Sequence, residues 1–241
     1  MNRGTIVTAA QAIINEETGD FIPATYLQAR YNEAKSRLER RTRCYPVASA
    51  FNLTDSTRLY ILPAGIFAIR RHGVIVSAMG PLRMTSWARL VADFPLTWNT
   101  TESTYPDRFY LAEQPVTASG VTNWGIGVYP LPSATVTNGI TVHGYGVSAD
   151  ADADATAPPW PTPYHFALVW ELCVMAATRD MDYQMRNAKP LAHFRAELKV
   201  IEDELRAASS EYNAMGGVLQ IGAGAPGQDE DDVVMIVNVT T

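Results

Sequence analysis

His193 and Glu197 stand one helical turn apart in Ala192-His-Phe-Arg-Ala-Glu197, a spacing that can present two ligands to one metal ion. No third ligand accompanies them, so a solvent-facing pair is the better reading. Asp150, Asp152 and Asp154 alternate like the opening of a calcium loop. The sixth position is Ala155 where glycine must turn the chain, and the twelfth is Pro161 where a glutamate must close the shell. Gly222-Ala-Gly-Ala-Pro-Gly227 spells GxGxxG, but a dinucleotide site needs a helix N-terminus next. Pro226 interrupts that motif, and Asp229, Glu230, Asp231 and Asp232 follow it with charges that repel phosphate. His72 and His143 fall in strand-like segments and His165 at a helix start, none beside a Ser or Cys arranged as a nucleophile. Cys44 and Cys173 lie far apart in helical contexts and read as reduced, packed thiols. With no GxSxG, P-loop or CxxC, the residues recommend no enzyme, cofactor or metal.

The elements that carry these residues are more informative than the residues. With 241 residues, 47% of them hydrophobic, the chain can build one large domain or two modest lobes. Charged residues are 18% and the net charge is −6, which disfavours an external grip on nucleic acid. The start of the chain lacks the pattern of a signal peptide, and no run reaches the roughly 20 apolar residues of a membrane span. The sequence therefore predicts a protein made in a cytosol, with the sequons at Asn52, Asn99 and Asn238 arising by chance.

Helices are expected at residues 5–14, 25–43, 164–180 and 191–212. In the second, Leu27, Tyr31, Ala34 and Leu38 make one apolar stripe. Its end carries Arg37, Arg40, Arg41 and Arg43, either a solvated, dipole-matched terminus or a contact for an acidic partner. The third has one charge, Glu171, over residues 166–177 and reads as a central, dry helix. In the fourth, Leu191, Phe194, Leu198, Ile201 and Leu205 form a heptad-like seam. Leu27, Tyr31, Leu38, Phe166, Trp170, Leu198, Ile201 and Leu205 are the expected buried residues.

Between the helix pairs the hydrophobic period changes to two. Strands are expected at 58–62, 67–76, 108–112, 124–129 and 139–147, with a hairpin tip at His72-Gly73 and Thr85 capping a short helix. Such spacing suits a sandwich or small barrel. The fold class is thus α+β: a helical bundle from residues 1–46 and 158–212, and a mostly antiparallel β lobe from 47–147. Residues 148–157 read as a solvated acidic linker and 213–241 as a C-terminal extension. Its apolar segment at 233–239, with Val233, Val234, Ile236 and Val237, needs a sheet edge in its own subunit or a neighbour. The acidic run Asp229–Asp232 would then meet a basic surface, for which a neighbour's Arg37–Arg43 cluster is one candidate.

Tyr60-Ile-Leu-Pro63 with Phe67-Ala-Ile-Arg70, Gly127-Val-Tyr-Pro-Leu-Pro132, the strand at 140–145 and Pro163-Tyr-His-Phe-Ala-Leu-Val169 follow one another after the early helix at 26–43. In that order they resemble tailed-phage head-to-tail adaptors, the connector or tail tubular protein A-like family. The resemblance implies a homo-oligomeric ring, commonly of twelve copies, in the virion neck, made in the bacterial host cytoplasm. It also implies helices toward a portal protein and β lobes toward a downstream tail or nozzle protein, with DNA passing through unbound and no membrane contact. The chain departs from the family around residues 99–106, in the Asp-Ala stretch and in the tail. The rival readings are another structural tail protein or a receptor- or sugar-binding module using Trp98, Trp124 and Tyr129, and, third, an enzyme. Exposed aromatics would favour the sugar-binding module; packed ones favour the adaptor.

Overall fold

The computed structural model describes residues 1–19, 21–62, 65–77, 79–112, 115–118, 121–179, 181–215 and 233–235. The described helices are α1 (Arg3–Thr18), α2 (Ala24–Thr42), α3 (Trp87–Asp93), α4 (Phe166–Ala177), α5 (Met181–Arg186) and α6 (Ala188–Met215). The chain divides into two units: Met1–Tyr45 with the segment from Val147 onward, and Pro46–Gly146 with the strand Val233–Met235.

In the helical unit, α1 begins where Asn2 Oδ1 accepts from the Thr5 N–H at 2.9 Å. It ends at Gly19, whose φ of 69° lets its N–H return to the Asn15 carbonyl. Ile6, Val7, Ala10 and Ile14 of α1, Leu27, Tyr31, Ala34 and Leu38 of α2, and Leu191, Phe194, Leu198 and Leu205 of α6 close around α4. Helix α4 is buried on most sides because its partners come from both ends of the sequence. Three expectations need correction. Phe166 is 45% exposed, since it opens α4 directly after a 3₁₀ turn at Thr162–His165, and Trp170 and Ile201 are only partly buried. The seam helix runs from Ala188, three residues earlier than expected, and α5 precedes it as a separate short helix.

The β unit contains β1 (Pro46–Leu53), β2 (Leu59–Ile61), β3 (Ile66–Val76), β4 (Gly80–Pro81), β5 (Arg83–Met84), β6 (Glu102–Ser103) and β7 (Arg108–Leu111). It continues with β8 (Val116–Ala118), β9 (Val121–Asn123), β10 (Gly125–Tyr129), β11 (Leu131–Pro132), β12 (Val136–Gly146) and β13 (Val233–Met235). One sheet has the order β1-β12-β3-β13 with β4 also on β3, and a second the order β2-β10-β7-β5. Ile69, Val74, Val76, Ile140 and Val142 of the first share one core with Tyr60, Phe109, Ile126 and Val128 of the second. That is a sandwich, and its long ladders are antiparallel.

Two further expectations fail for local reasons. No hairpin forms at His72-Gly73: β3 is continuous, and its register on β12 jumps from Val142↔Val74 to Gly144↔Ile69. Residues 70–73 therefore bulge opposite His143, and a Cβ on Gly73 would sit 2.3 Å from the His143 carbonyl oxygen. Ser86, not Thr85, caps α3, its Oγ accepting from the Arg89 N–H at 3.2 Å.

The seam gives a direct test. Leu198→Ala should cost about 2–5 kcal/mol in urea unfolding of the full chain, because it empties a buried site. Phe166→Ala should stay within about 0.5 kcal/mol, as expected for an exposed side chain.

Candidate functional site

The arginines at the end of α2 do not form one open patch. Arg37 pairs with Glu33 at 2.7 Å, and Glu33 also takes Arg30 at 2.8 Å, so its carboxyl is held below the ordinary range. Arg40 is exposed. Arg43 leaves the helix with φ of 53°, and its carbonyl accepts from Ser209 Oγ of α6 at 2.9 Å. Arg41 turns inward: its Nη2 lies 2.5 Å from Glu171 of α4 and 2.7 Å from Glu202 of α6. Glu171 is the sole charge in α4, 2% exposed, so this guanidinium is what lets that helix carry it. Burial raises the Glu202 carboxyl, Arg41 opposes that, and the nearby Glu171 adds to it. Arg41 is therefore engaged within its own chain by two carboxylates while its side chain stays 44% exposed.

Of the tail residues, Asp229, Glu230, Asp231, Asp232, Ile236 and Val237 lie outside the described residues. Val233 and Val234 belong to β13, which pairs antiparallel with Arg70 and Ile69 of β3 in the same chain. The strand addition expected at a sheet edge is thus made in cis.

A second polar constellation was not read from the sequence. Lys35 and Glu39, one turn apart on α2, are 2% and 0% exposed. Lys35 Nζ donates to the carbonyls of Ser148, at 3.3 Å, and Ala149. Glu39 accepts from the Ser148 N–H at 2.9 Å and from Ser148 Oγ at 2.5 Å. Asn32 Oδ1 takes the Ala151 N–H at 2.9 Å, and Ala151 is buried. From α1, the Arg3 and Gly4 N–H groups reach the carbonyls of Thr156 and Asp154 at 2.8 and 3.0 Å, while Arg3 Nη1 holds the Asp152 carbonyl at 3.0 Å. The Asp-Ala stretch is thus a strap hydrogen-bonded to two helices, with Ala149, Asp150 and residues 152–157 exposed and Ala151 buried. Its carbonyls satisfy the donors at the α1 N-terminus, which is why it lies down. Positions 35 and 39 flank the Tyr31–Leu38 stripe, and charges at that angle were the available clue. Burial raises the Glu39 carboxyl; the bonds from Ser148 and the charge of Lys35 draw it back, and Asp150 opposes them.

The other singled-out residues are structural. His165 is buried, with Nε2 2.8 Å from the Trp160 carbonyl and Nδ1 2.8 Å from the Met1 amino group. A carbonyl only accepts, so Nε2 carries the proton and Nδ1 accepts. His193 meets the Trp170 ring edge-on at 5.6 Å. Cys173 donates to the Ala10 carbonyl at 3.8 Å, and burial pushes both its thiol and that of Cys44 up, Cys44 to about 12. In the β unit Trp87 packs on Trp98 and Tyr110, Phe94 on Tyr129, and Arg58 lies 4.5 Å over Trp98. Among the described residues of that unit no Trp or Tyr is exposed. Sugar-binding platforms need an open ring face, and these faces are used in packing.

Removing the polar groups that hold the strap should loosen it. Glu39→Ala leaves the Ser148 N–H and hydroxyl without their acceptor and should cost about 1–3 kcal/mol in urea unfolding, and Lys35→Met with Glu39→Leu, which also frees the Ser148 and Ala149 carbonyls, should cost no less. In both, the amides of Ser148 and Ala151 should exchange faster than in the wild type. Acid should act through His165. Burial lowers its pKa, the Met1 ammonium adds to that, and the Trp160 carbonyl opposes it. The unfolded chain takes up a proton near pH 6.5 that the folded chain resists, so this contribution is complete above 6.5 and declines as pH falls below it. His165→Gln should flatten the stability profile in that window.

No curated protein matches the chain. The family model described as SU10 adaptor protein matches residues 1–218, a span that takes in all six described helices and both large sheets of the sandwich apart from β13. Together with the helical unit and β sandwich set out above, that match makes the chain a member of the SU10 adaptor protein family, a family of phage structural adaptors.

Proposed function

We propose that this protein is a ring-forming component of the virion neck that joins the portal to the tail and encloses the DNA channel. The observation that carries this reading is the family match running through both units of the chain. The helical unit faces the portal and the β sandwich faces the downstream tail or nozzle protein. Twelve copies, each at −6, line the passage with negative charge, so DNA slides through without a counterion-release gain. The protein carries no catalytic turnover; its role is mechanical. Arg40 is the exposed arginine offered to an acidic partner, Arg37 being paired with Glu33 and Arg41 with Glu171 and Glu202. The packed aromatics of the β unit weigh against the sugar-binding alternative.

The test is assembly. Mass photometry of the full chain, alone and mixed with the portal protein of its phage, should show a closed ring or a ring-on-portal complex at micromolar concentration. Purified particles should contain the chain in a fixed ratio to the portal. A chain that stays monomeric with the portal and is missing from particles overturns the reading.

A further inference from the structure

The first sheet of the β unit is open at β1. Among the described residues this strand pairs with β12 and with no other strand. Every second residue of an end strand turns its N–H and C=O away from its partner, leaving a template for another strand. End strands are usually guarded by charge, by proline or by bulges. Pro46-Val-Ala-Ser-Ala-Phe-Asn-Leu53 has no charge, and its one proline is its first residue. Its register on β12 is even from Pro46 to Phe51, the irregularity coming only between Phe51 and Leu53. Val47, Phe51 and Leu53 face the core, while Pro46, Ala48, Ala50 and Asn52 are exposed, small and uncharged.

The opposite end of the sheet is built differently. There β4 pairs with Ile75 and Val76 of β3, and β13 with Ala68, Ile69 and Arg70. Between them β3 carries its bulge. Among the described residues one end is bare and neutral, and the other is covered in two places.

We infer that the β1 edge is the docking strand for a second copy of this chain, extending the sheet from one subunit to the next. The inference rests on the ring reading and names the surface that closes the ring. Charge selects the occupant. Copies at −6 repel one another, and a contact between them is least opposed where eight successive residues carry no charge on either face. A ring also needs two unlike surfaces on each subunit, which the two unlike ends of this sheet supply. Main-chain bonds then provide the affinity, as in other strand additions.

The experiment uses the full chain with Ala48→Lys and Ala50→Lys together, at exposed positions where the fold should be kept. Thermal unfolding checks that, and Ala48→Lys alone substitutes if the pair does not fold. A control places the same charges on the exposed face of α6, as Ala196→Lys and Ala207→Lys. By mass photometry, alone and with the portal, the β1 variant should lose at least tenfold in assembled species, and the α6 control should assemble as the wild type does. A β1 variant that assembles normally overturns the inference and leaves the ring reading intact. So does one that forms rings but no longer captures the portal, because the edge then belongs to a different protein. If the wild type forms no ring in either preparation, the ring reading fails and this inference with it.

Discussion

Two charges taken out of water, Lys35 and Glu39, organise the helical unit. An ammonium and a carboxylate one turn apart on α2 are tolerable in an interior only if each finds partners beyond the other. The strap supplies them: carbonyls for Lys35, an N–H and a hydroxyl for Glu39. The same strap closes the N-terminus of α1 through the Asp154 and Thr156 carbonyls. An apolar strap could also lie along α2, but it would have no preferred register there. Polar bonds give it one, and the strap's register along α2 is fixed.

The second buried charge obeys the same rule by another route. Glu171 interrupts a helix that is otherwise apolar, and Arg41 reaches it while also lying against Glu202. Three helices, α2, α4 and α6, meet at that guanidinium. It is half exposed, so part of its hydration is kept and the cost of the cluster falls mainly on the two carboxylates. An arginine cluster that looks like a docking site in one dimension is therefore partly a packing device in three.

In the β unit the controlling constraint is where backbone meets backbone. Gly73 tucks under the His143 carbonyl and Gly127 lies where a Cβ would be 2.0 Å from the Tyr110 ring, so neither position tolerates a side chain. A glycine inside an apparent strand can mark a turn, a bulge or a close approach, and the pattern of neighbours does not separate the three. For His72-Gly73 the third dimension chose the bulge. It also packed Trp87, Trp98, Tyr110 and Tyr129 against one another and against arginines, turning a possible binding platform into a minor core.

Periodicity alone determined the α+β class, α2 and α6 to within a few residues, and the seam at Leu191, Phe194, Leu198 and Leu205. Those signals repeat along a helix or strand, so the chain carries them locally. The order of motifs also pointed to a phage adaptor. Other features depended on residues far apart in sequence. Whether Asp150, Asp152 and Asp154 belong to a linker or a strap is decided by carbonyls meeting α1 and α2, more than a hundred residues away. That Arg41 reaches Glu171 is decided by the packing of α4 against α2, and the strand at Val233–Met235 found its edge on β3. Backbone bonds and single ion pairs leave no periodic trace, and only the tertiary structure decides them.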